Sequence, residues 1–233
     1  MKRLLCKKTL LTSLLLAVGV TSQAATAGGI VLGGTRIIYS AGAKQASISA
    51  RNTSTDAAYL VQSWAENANG QKSADFIVTP PLYVSNAGDE NMLRVMYSGP
   101  ALPTDRETLY YFNARAVPSM DKSKVENKSV LMLATTTRIK LFVRPAGLTP
   151  AQDKASDLLS FSKSGSQLKI DNPSPYYLTL VRMSINGRKL DDVMVAPKSH
   201  ASVSLPAGAG NTLTFSAMND YGSPTDNKKI SLN

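Results

Sequence analysis

The sequence predicts an all-β protein built from antiparallel β-sandwiches. Short runs of apolar and β-branched residues recur along the chain, and Gly, Asn, Asp or Pro residues separate them. Some runs alternate between apolar and polar positions, as in residues 46–52, where Ala46, Ile48 and Ala50 share one face. This alternation is typical of strands with one face buried and one face in solvent. A composition of 43% hydrophobic and 18% charged residues is that of a globular protein.

The first 27 residues have the pattern of a secretory signal peptide. Four basic residues lie among the first eight, the stretch 10–20 is apolar at all but two positions, and small residues lead up to Ala24 and Ala27. The apolar stretch is shorter than the ~20 residues that span a membrane. We expect cleavage after Ala24 or after Ala27. Cleavage removes four positive charges from a formal net charge of +10, together with Cys6, the only cysteine.

The mature chain up to residue 147 contains the first set of predicted strands. Their positions are 30–39, 46–52, 58–64, 76–78, a run around 93–97, 108–117 and 130–143. This density of short alternating strands favours an immunoglobulin-like sandwich. A β-barrel remains the structural alternative.

A break at residues 145–148 precedes a second set of strands. Thr149, Pro150 and Gln152 predict a short helical turn, with Thr149 as N-cap, Pro150 as the first helical residue and Gln152 closing a capping box. Strand-like runs resume at 168–170, 176–185, 193–195, 202–205 and 212–218. Asn186 and Gly187 predict a two-residue hairpin turn. We therefore expect an N-terminal immunoglobulin-like domain at 28–147 and a C-terminal one at 148–233.

The composition argues against most catalytic chemistry. A single cysteine excludes an internal disulfide and a CxxC zinc site, and a single histidine, His200, disfavours Ser-His-Asp and Cys-His catalysis. The neighbouring carboxylates of Asp191 and Asp192 are best interpreted as part of a solvated loop. Basic residues are dispersed rather than clustered, which disfavours nucleic-acid binding. We expect no enzyme activity, no catalytic residue, no metal and no cofactor.

Residues 130–143, VLMLATTTRIKLFV, form the longest predicted strand. Typical strands have about 5–6 residues. Leu131, Leu133 and Thr135 share one of its faces. At a sheet edge such a strand is an aggregation hazard unless it has a partner, whereas in the centre of its own sandwich it would be buried. The pattern alone leaves both interpretations open.

Several motifs resemble those of the periplasmic pilus-assembly chaperones of the PapD type. Residues 102–118, LPTDRETLYYFNARAVP, are similar to the family signature, and residues 137–145, TRIKLFVRP, to the end of the long last strand of its first domain. Further landmarks follow in family order: TRIIY at 35–39, TPP at 79–81, NPSPYY at 172–177 and NDYG at 219–222. The short segment 119–129 resembles the short-loop branch, which serves rod-like pili with adhesive tips. The resemblance also implies a cis bond between Pro80 and Pro81.

This resemblance implies a periplasmic protein whose two immunoglobulin-like domains meet at an angle and form a cleft. In the family, the chaperone lends an edge strand to pilus subunits, which are incomplete sandwiches. The donated side chains would be Leu131, Leu133 and Thr135. Thr135 is smaller than the aliphatic residue often found there, so its pocket would be less filled. Pilus subunits and an outer-membrane usher are the implied partners, and self-association through the donor strand remains open.

The resemblance assigns roles to two further groups of residues. Arg36 and Lys140 would lie in the cleft and hold the C-terminal carboxylate of the subunit, because two cations can donate charge-assisted hydrogen bonds to one carboxylate. Glu107, Arg144 and Asp220 would form a buried ion network between the domains. Such a network fixes a domain angle more than it adds stability.

Two other functions compete with this interpretation. A pilus subunit or adhesin would usually carry a disulfide and lack one strand of its own. A periplasmic carbohydrate-binding or hydrolytic sandwich would need paired carboxylates or an aromatic platform. Trp64 is the only tryptophan, and its place in a predicted strand indicates the core.

Overall fold

The computed structural model describes residues 28–119 and 132–232, so the predicted signal peptide and Leu131 lie outside the described residues. Two β-sandwich domains account for these residues. The strands of the first domain are β1 (Ile30–Leu32), β2 (Arg36–Ser40), β3 (Ala46–Asn52), β4 (Tyr59–Asn67), β5 (Phe76–Thr79), β6 (Leu82–Ser85), β7 (Glu90–Tyr97), β8 (Thr108–Pro118) and β9 (Thr135–Arg144). In the described ranges, no helix is both long and apolar enough to cross a membrane.

The second domain begins with a helical turn and continues as strands. Its elements are α1 (Gln152–Ala155), a 3-10 turn (Ser156–Leu158), β10 (Ser160–Ser164), β11 (Gln167–Asn172), β12 (Leu178–Ile185), β13 (Arg188–Lys189), β14 (Val193–Val195), β15 (Ser199–Ser204), β16 (Thr212–Ala217) and β17 (Lys228–Ser231). One sheet has the order β10-β11-β15 and the other β13-β12-β16-β17, with β14 also on β12. The predicted hairpin turn is confirmed, because Ile185 pairs with Arg188 across Asn186 and Gly187.

Two sheets enclose the core of the first domain. Their orders are β1-β3-β7-β5 and β2-β9-β8-β4-β6. Leu93, Val95, Phe112 and Leu141 are completely buried between them, as the alternation along their strands requires. At one end of the core the ring of Phe76 packs edge-on against tyrosines, and packed aromatic rings add stability beyond their buried area.

The predicted strand 30–39 is two strands, because the chain changes sheets within it. β1 pairs with β3 in one sheet, and β2 pairs in parallel with β9 in the other. The crossing passes through Gly33, where a Cβ atom would lie 2.3 Å from the Ser49 Oγ atom. A larger residue at position 33 would have to displace the Ser49 hydroxyl, whereas glycine allows this close approach without rearrangement.

β9 is shorter than the predicted strand at 130–143, because it begins only at Thr135. Its neighbour β8 ends at Pro118, which has no backbone N–H to extend the ladder. β9 pairs with β8 from Thr135 onwards, but β2 pairs with it only from Lys140 to Arg144. Along residues 135–139, no described strand pairs with the other edge of β9.

Each domain contains the same buried asparagine motif. Asn52 and Asn172 end β3 and β11, and each side-chain Nδ2 atom donates to three backbone carbonyl oxygens. Each Oδ1 atom accepts the backbone N–H of a serine two residues later, Ser54 or Ser174. Because buried backbone carbonyls need partners, one amide in each domain fixes the turn that follows the strand.

Three local predictions are wrong. α1 has Ala151 rather than Thr149 as its N-cap, because the backbone is still extended at Ala151 (φ −62°, ψ 151°). The cis bond predicted between Pro80 and Pro81 lies one bond earlier, between Thr79 and Pro80. Trp64 is half-buried rather than in the core, because its two neighbours on β4 face inward instead. The Trp64 Nε1 atom donates to Glu66 Oε1 at 2.9 Å.

Candidate functional site

Arg144, the last residue of β9, connects the two domains. Its Nε atom donates to Glu107 Oε1 at 2.7 Å within the first domain. Its two terminal nitrogens donate to the two carboxylate oxygens of Asp220 in the second domain, both at 2.7 Å. The structure thus brings together the three residues that the sequence analysis grouped, in a bidentate geometry that restricts orientation as well as distance.

Glu107 is the most buried member of this group, with 3% of its surface exposed. Its Oε2 atom accepts the backbone N–H of Tyr177 at 2.8 Å, and its own N–H donates to the Pro175 carbonyl. Burial raises the pKa of Glu107, and the charge of Arg144 opposes that rise. Burial alone would lower the pKa of Arg144, but its hydrogen bonds to Asp220 and Glu107 raise it above the ordinary value.

Arg36 and Lys140 lie side by side at the base of the cleft between the domains. They are direct partners in the parallel ladder of β2 and β9. The Lys140 Nζ atom donates to Thr179 Oγ1 of the second domain at 2.8 Å. The buried Nε atom of Arg36 has no hydrogen-bond partner, and neither cation forms an ion pair within the described ranges.

The electrostatics of this pair favour an incoming anion. Burial, and secondarily the neighbouring Arg36, lower the pKa of Lys140 to about 8. Burial also lowers the pKa of Arg36, although the carboxylates of Asp220 and Glu107 partly oppose this. Two half-buried cations without a carboxylate partner carry a desolvation cost that a bound anion would offset.

A cavity of about 370 Å³ opens above the two cations. Thr179 and Met218 line it on the second domain, and Tyr111 lines it on the first. The guanidinium of Arg138 lies 3.6 Å from the centre of the Tyr111 ring and pairs with Glu66 at 3.2 Å. Unlike Arg36 and Lys140, Arg138 therefore already has a carboxylate partner.

The stretch that leads into β9 is exposed. Leu133 has 68% of its surface accessible and Met132 has 44%, and Thr135 is exposed at the start of the strand. These side chains adjoin the free edge of β9 at residues 135–139. Lys140, the next residue of β9, is where pairing with β2 begins. An apolar surface and an unpaired strand edge therefore lead directly to the two cations.

The other candidates contribute no site. Asp191 and Asp192 lie in an exposed loop, where Asp192 accepts the backbone N–H of Arg182. His200 is exposed on β15. In the part of the chain that the structure describes, no three His, Cys, Asp or Glu side chains are grouped as a metal site requires.

Sequence reasoning missed Thr179 and Tyr177 as parts of the cleft. Thr179 is one threonine in an apolar strand, and only the packing of the two domains brings it to Lys140. Tyr177 stacks on Phe142 across the interface, with ring centres 5.5 Å apart. No local pattern marks either contact, because both depend on residues distant in sequence.

Comparison with known families identifies the class of protein to which this fold and cleft belong. Residues 29–149 match the family described as "Pili and flagellar-assembly chaperone, PapD N-terminal domain". Residues 154–229 match "Pili assembly chaperone PapD, C-terminal domain". The chain belongs to this family of pili-assembly chaperones.

Individual relatives are similar over nearly their whole length. The probable fimbrial chaperone SfmC of Escherichia coli is 45% identical over 214 residues, which cover 92% of this chain and 93% of SfmC. The E. coli chaperone FimC is 42% identical over 217 residues, covering 93% and 90%. The crystal structure of the periplasmic chaperone SfaE has 36% identity and a TM-score of 0.76, covering 86% of this chain and 98% of that one.

A similar structure is known in a complex. A chain in the structure of the Salmonella enterica SafA pilin with the SafB chaperone has 28% identity and a TM-score of 0.77. The match covers 88% of this chain and 96% of that chain. The two-domain architecture is therefore shared with structures of chaperones from this family.

We predict that Glu107→Ala lowers the free energy of unfolding by about 3–5 kcal/mol, because it leaves a partly buried guanidinium without one of its carboxylates. Asp105→Ala is the matched control. Asp105 also pairs across the domains, with Lys198 at 2.6 Å, but both side chains are exposed, at 49% and 40%. Such pairs contribute little, so this variant should unfold like the wild type. Urea denaturation measures both, and equal losses would contradict a special role for the buried network.

Proposed function

We propose that the mature chain is a periplasmic chaperone that captures pilus subunits through the free edge of β9 and holds their C-terminal carboxylate between Arg36 and Lys140. The observation that carries this proposal is the point where β2 begins. Arg36, the first residue of β2, pairs with Lys140, and the free edge of β9 ends at the same place.

The position of β2 determines what can be added to β9. A strand that pairs with residues 135–139 lies in line with β2 and cannot pass beyond Arg36. If it runs parallel to β9, as β2 does, its last residue meets the two cations. A C-terminal carboxylate at that point would accept charge-assisted hydrogen bonds, each worth about 1.5–3 kcal/mol.

The exposed side chains before β9 supply the apolar part of the interaction. Backbone hydrogen bonds along a strand edge bind many sequences, whereas alternate side chains select the groove. Leu133 and Thr135 are exposed and would enter the open groove of an incomplete sandwich, together with Leu131. Thr135 would contribute less than the leucines because it buries less apolar surface.

The comparisons support this assignment over its alternatives. The relatives are fimbrial chaperones, and SafB is in complex with a pilin. A pilus subunit would lack a strand, whereas both domains here have two packed sheets. We assign the periplasm from the predicted signal peptide and the family. The proposed role also includes an outer-membrane usher as second partner and involves no catalysis. Whether the free protein self-associates through β9 stays open.

We predict that Arg36→Ala and Lys140→Ala each give a folded protein that no longer captures a co-expressed pilus subunit. Each variant removes one of the two cations that hold the carboxylate. Lys44→Ala, in the exposed turn after β2, is the matched control for charge and should capture normally. Far-UV circular dichroism and co-purification are the measurements. Normal capture by folded Lys140→Ala protein would disprove the anchor.

We predict that Leu133→Glu leaves the free energy of unfolding within about half a kcal/mol of the wild type, because exposed substitutions have small effects. The same variant should lose subunit capture, since its carboxylate would enter an apolar groove unpaired. Ile77→Glu is the control, because Ile77 is also exposed, at 52%, but lies in the opposite sheet. Urea denaturation and co-purification decide the outcome. A loss of several kcal/mol would place Leu133 in the chaperone's own core.

We predict that subunit affinity is unchanged between about pH 6 and 7 and falls as the pH rises above 8. The pKa of Lys140 is lowered to about 8 in the free protein, so above that pH the amine is neutral and must take up a proton to pair with a carboxylate. Lys140→Arg should remain bound at higher pH, because a guanidinium stays charged. Affinity titrations between pH 6 and 10 test this. An unchanged wild-type affinity up to pH 10 would contradict it.

A further inference from the structure

Thr179 is a polar side chain on the second-domain wall of the cleft, opposite Lys140. Its neighbours on β12, Leu178 and Leu180, are buried in the second domain, so strand alternation turns Thr179 toward the cleft. The Thr179 Oγ1 atom accepts a hydrogen bond from the Lys140 Nζ atom at 2.8 Å. Within the described ranges, it is the one hydrogen-bond acceptor of this ammonium group.

The position of Thr179 relative to the first domain is fixed by a row of contacts. Alternate residues on the cleft face of β9 each contact the second domain: Lys140 with Thr179, Phe142 with Tyr177, and Arg144 with Asp220. The Thr179 carbonyl also accepts the backbone N–H of Met218 at 2.9 Å. The domains meet again at Gly222, where a Cβ atom would lie 2.0 Å from the Thr35 Oγ1 atom. The hydroxyl is therefore held in place before a ligand arrives, which lowers the entropy lost on binding.

The hydroxyl of Thr179 has hydrogen-bonding capacity left over. A threonine hydroxyl has one proton to donate and two lone pairs. One lone pair accepts from Lys140, and in the part of the chain that the structure describes the proton has no acceptor. The ammonium has three N–H groups, of which one is used by Thr179. Because both groups line the cavity of about 370 Å³, an oxygen atom bound there by Lys140 lies within reach of the hydroxyl proton.

The surroundings of Lys140 make a neutral acceptor important. Burial and the charge of Arg36 both disfavour the protonated amine. The other titratable groups that line the cavity are Arg138 and Tyr111, and its lining residues from the second domain are uncharged. A hydrogen bond to the protonated amine favours the charged form. Thr179 therefore helps to keep the charge that the anchor needs, and it does so without a carboxylate that would compete with a ligand.

We propose that Thr179 is the third group of the carboxylate anchor. Its hydroxyl orients the Lys140 ammonium and donates its own proton to the C-terminal carboxylate of the captured subunit. The chain end is then bound by both domains, by Arg36 and Lys140 of the first and by Thr179 of the second. This inference rests on the proposed carboxylate anchor.

Peptides with a free or an amidated C-terminus test this role by fluorescence anisotropy. They consist of alternating Val and Thr and carry a fluorophore at the N-terminus. We expect Thr179→Val to weaken binding of the free acid about ten- to a hundredfold, because a hydrogen bond to a charged group is lost, and to affect the amide far less. Thr179→Ala removes the hydroxyl with less bulk and should behave in the same way.

Two further variants are controls. Thr179→Ser keeps the hydroxyl and should bind the acid nearly as tightly as the wild type. Thr212→Val changes another half-buried threonine of the same sheet, at the start of β16, and should behave as the wild type. Far-UV circular dichroism verifies that each variant is folded.

The pH profile separates a role in the anchor from a purely structural one. In the wild type the pKa of Lys140 is lowered to about 8. Thr179→Val removes an acceptor from the charged amine and should lower this pKa further. Its binding of the acid should therefore weaken at a lower pH than that of the wild type. A structural defect would instead weaken acid and amide equally at every pH.

An acid-to-amide preference in Thr179→Val equal to that of the wild type would overturn the role of Thr179, and so would a pH profile that does not move. Lys140→Ala separates this result from a failure of the anchor. If the wild type binds acid and amide equally and Lys140→Ala has no effect, the anchor itself is wrong. If Lys140→Ala abolishes the preference for the acid while Thr179→Val retains it, only the role of Thr179 is wrong. No binding of either peptide by the wild type would contradict both.

Discussion

The salt bridges of Arg144 to Glu107 and Asp220 hold the two domains in the arrangement on which the cleft depends. Each domain has its own core, so neither needs the other to bury its apolar interior. Lys140 reaches Thr179 and Gly222 reaches Thr35 only while the domains keep this angle. Because Arg144 also ends β9, one strand carries the free edge, one of the two cations and the interdomain link.

The chemistry of the cleft depends on how its charges are distributed. Arg144 and Arg138 have carboxylate partners, whereas the pair formed by Arg36 and Lys140 has none in the described structure. Removing cations from water without pairing them costs free energy. The folded protein therefore maintains an unfavourable local arrangement of charge that a bound anion would relieve, as is common at functional sites.

The sequence predicted the fold where strands alternate, and missed what depends on tertiary context. The strand at 46–52 and the turn at Asn186 were predictable because their local patterns are strong. β10 (SFSKS) and β17 (KKIS) are edge strands without apolar alternation, so no pattern marks them. The start of β9 depends on where β8 ends. The cleft residues Arg36 and Lys140 were found only through motifs, because their proximity arises from a parallel pairing between distant segments.

The parallel pairing of β2 with β9 also determines the register in which a guest strand could pair with β9. The open edge covers residues 135–139, a length of roughly 16 Å at about 3.3 Å per residue. Since β2 blocks one end of it, register would be counted from the guest's last residue and not from its sequence. An extended segment in the middle of another protein has no chain end to place at Arg36. Such a site would distinguish finished chain termini from the interior strands of unrelated unfolded proteins, whatever their hydrophobicity.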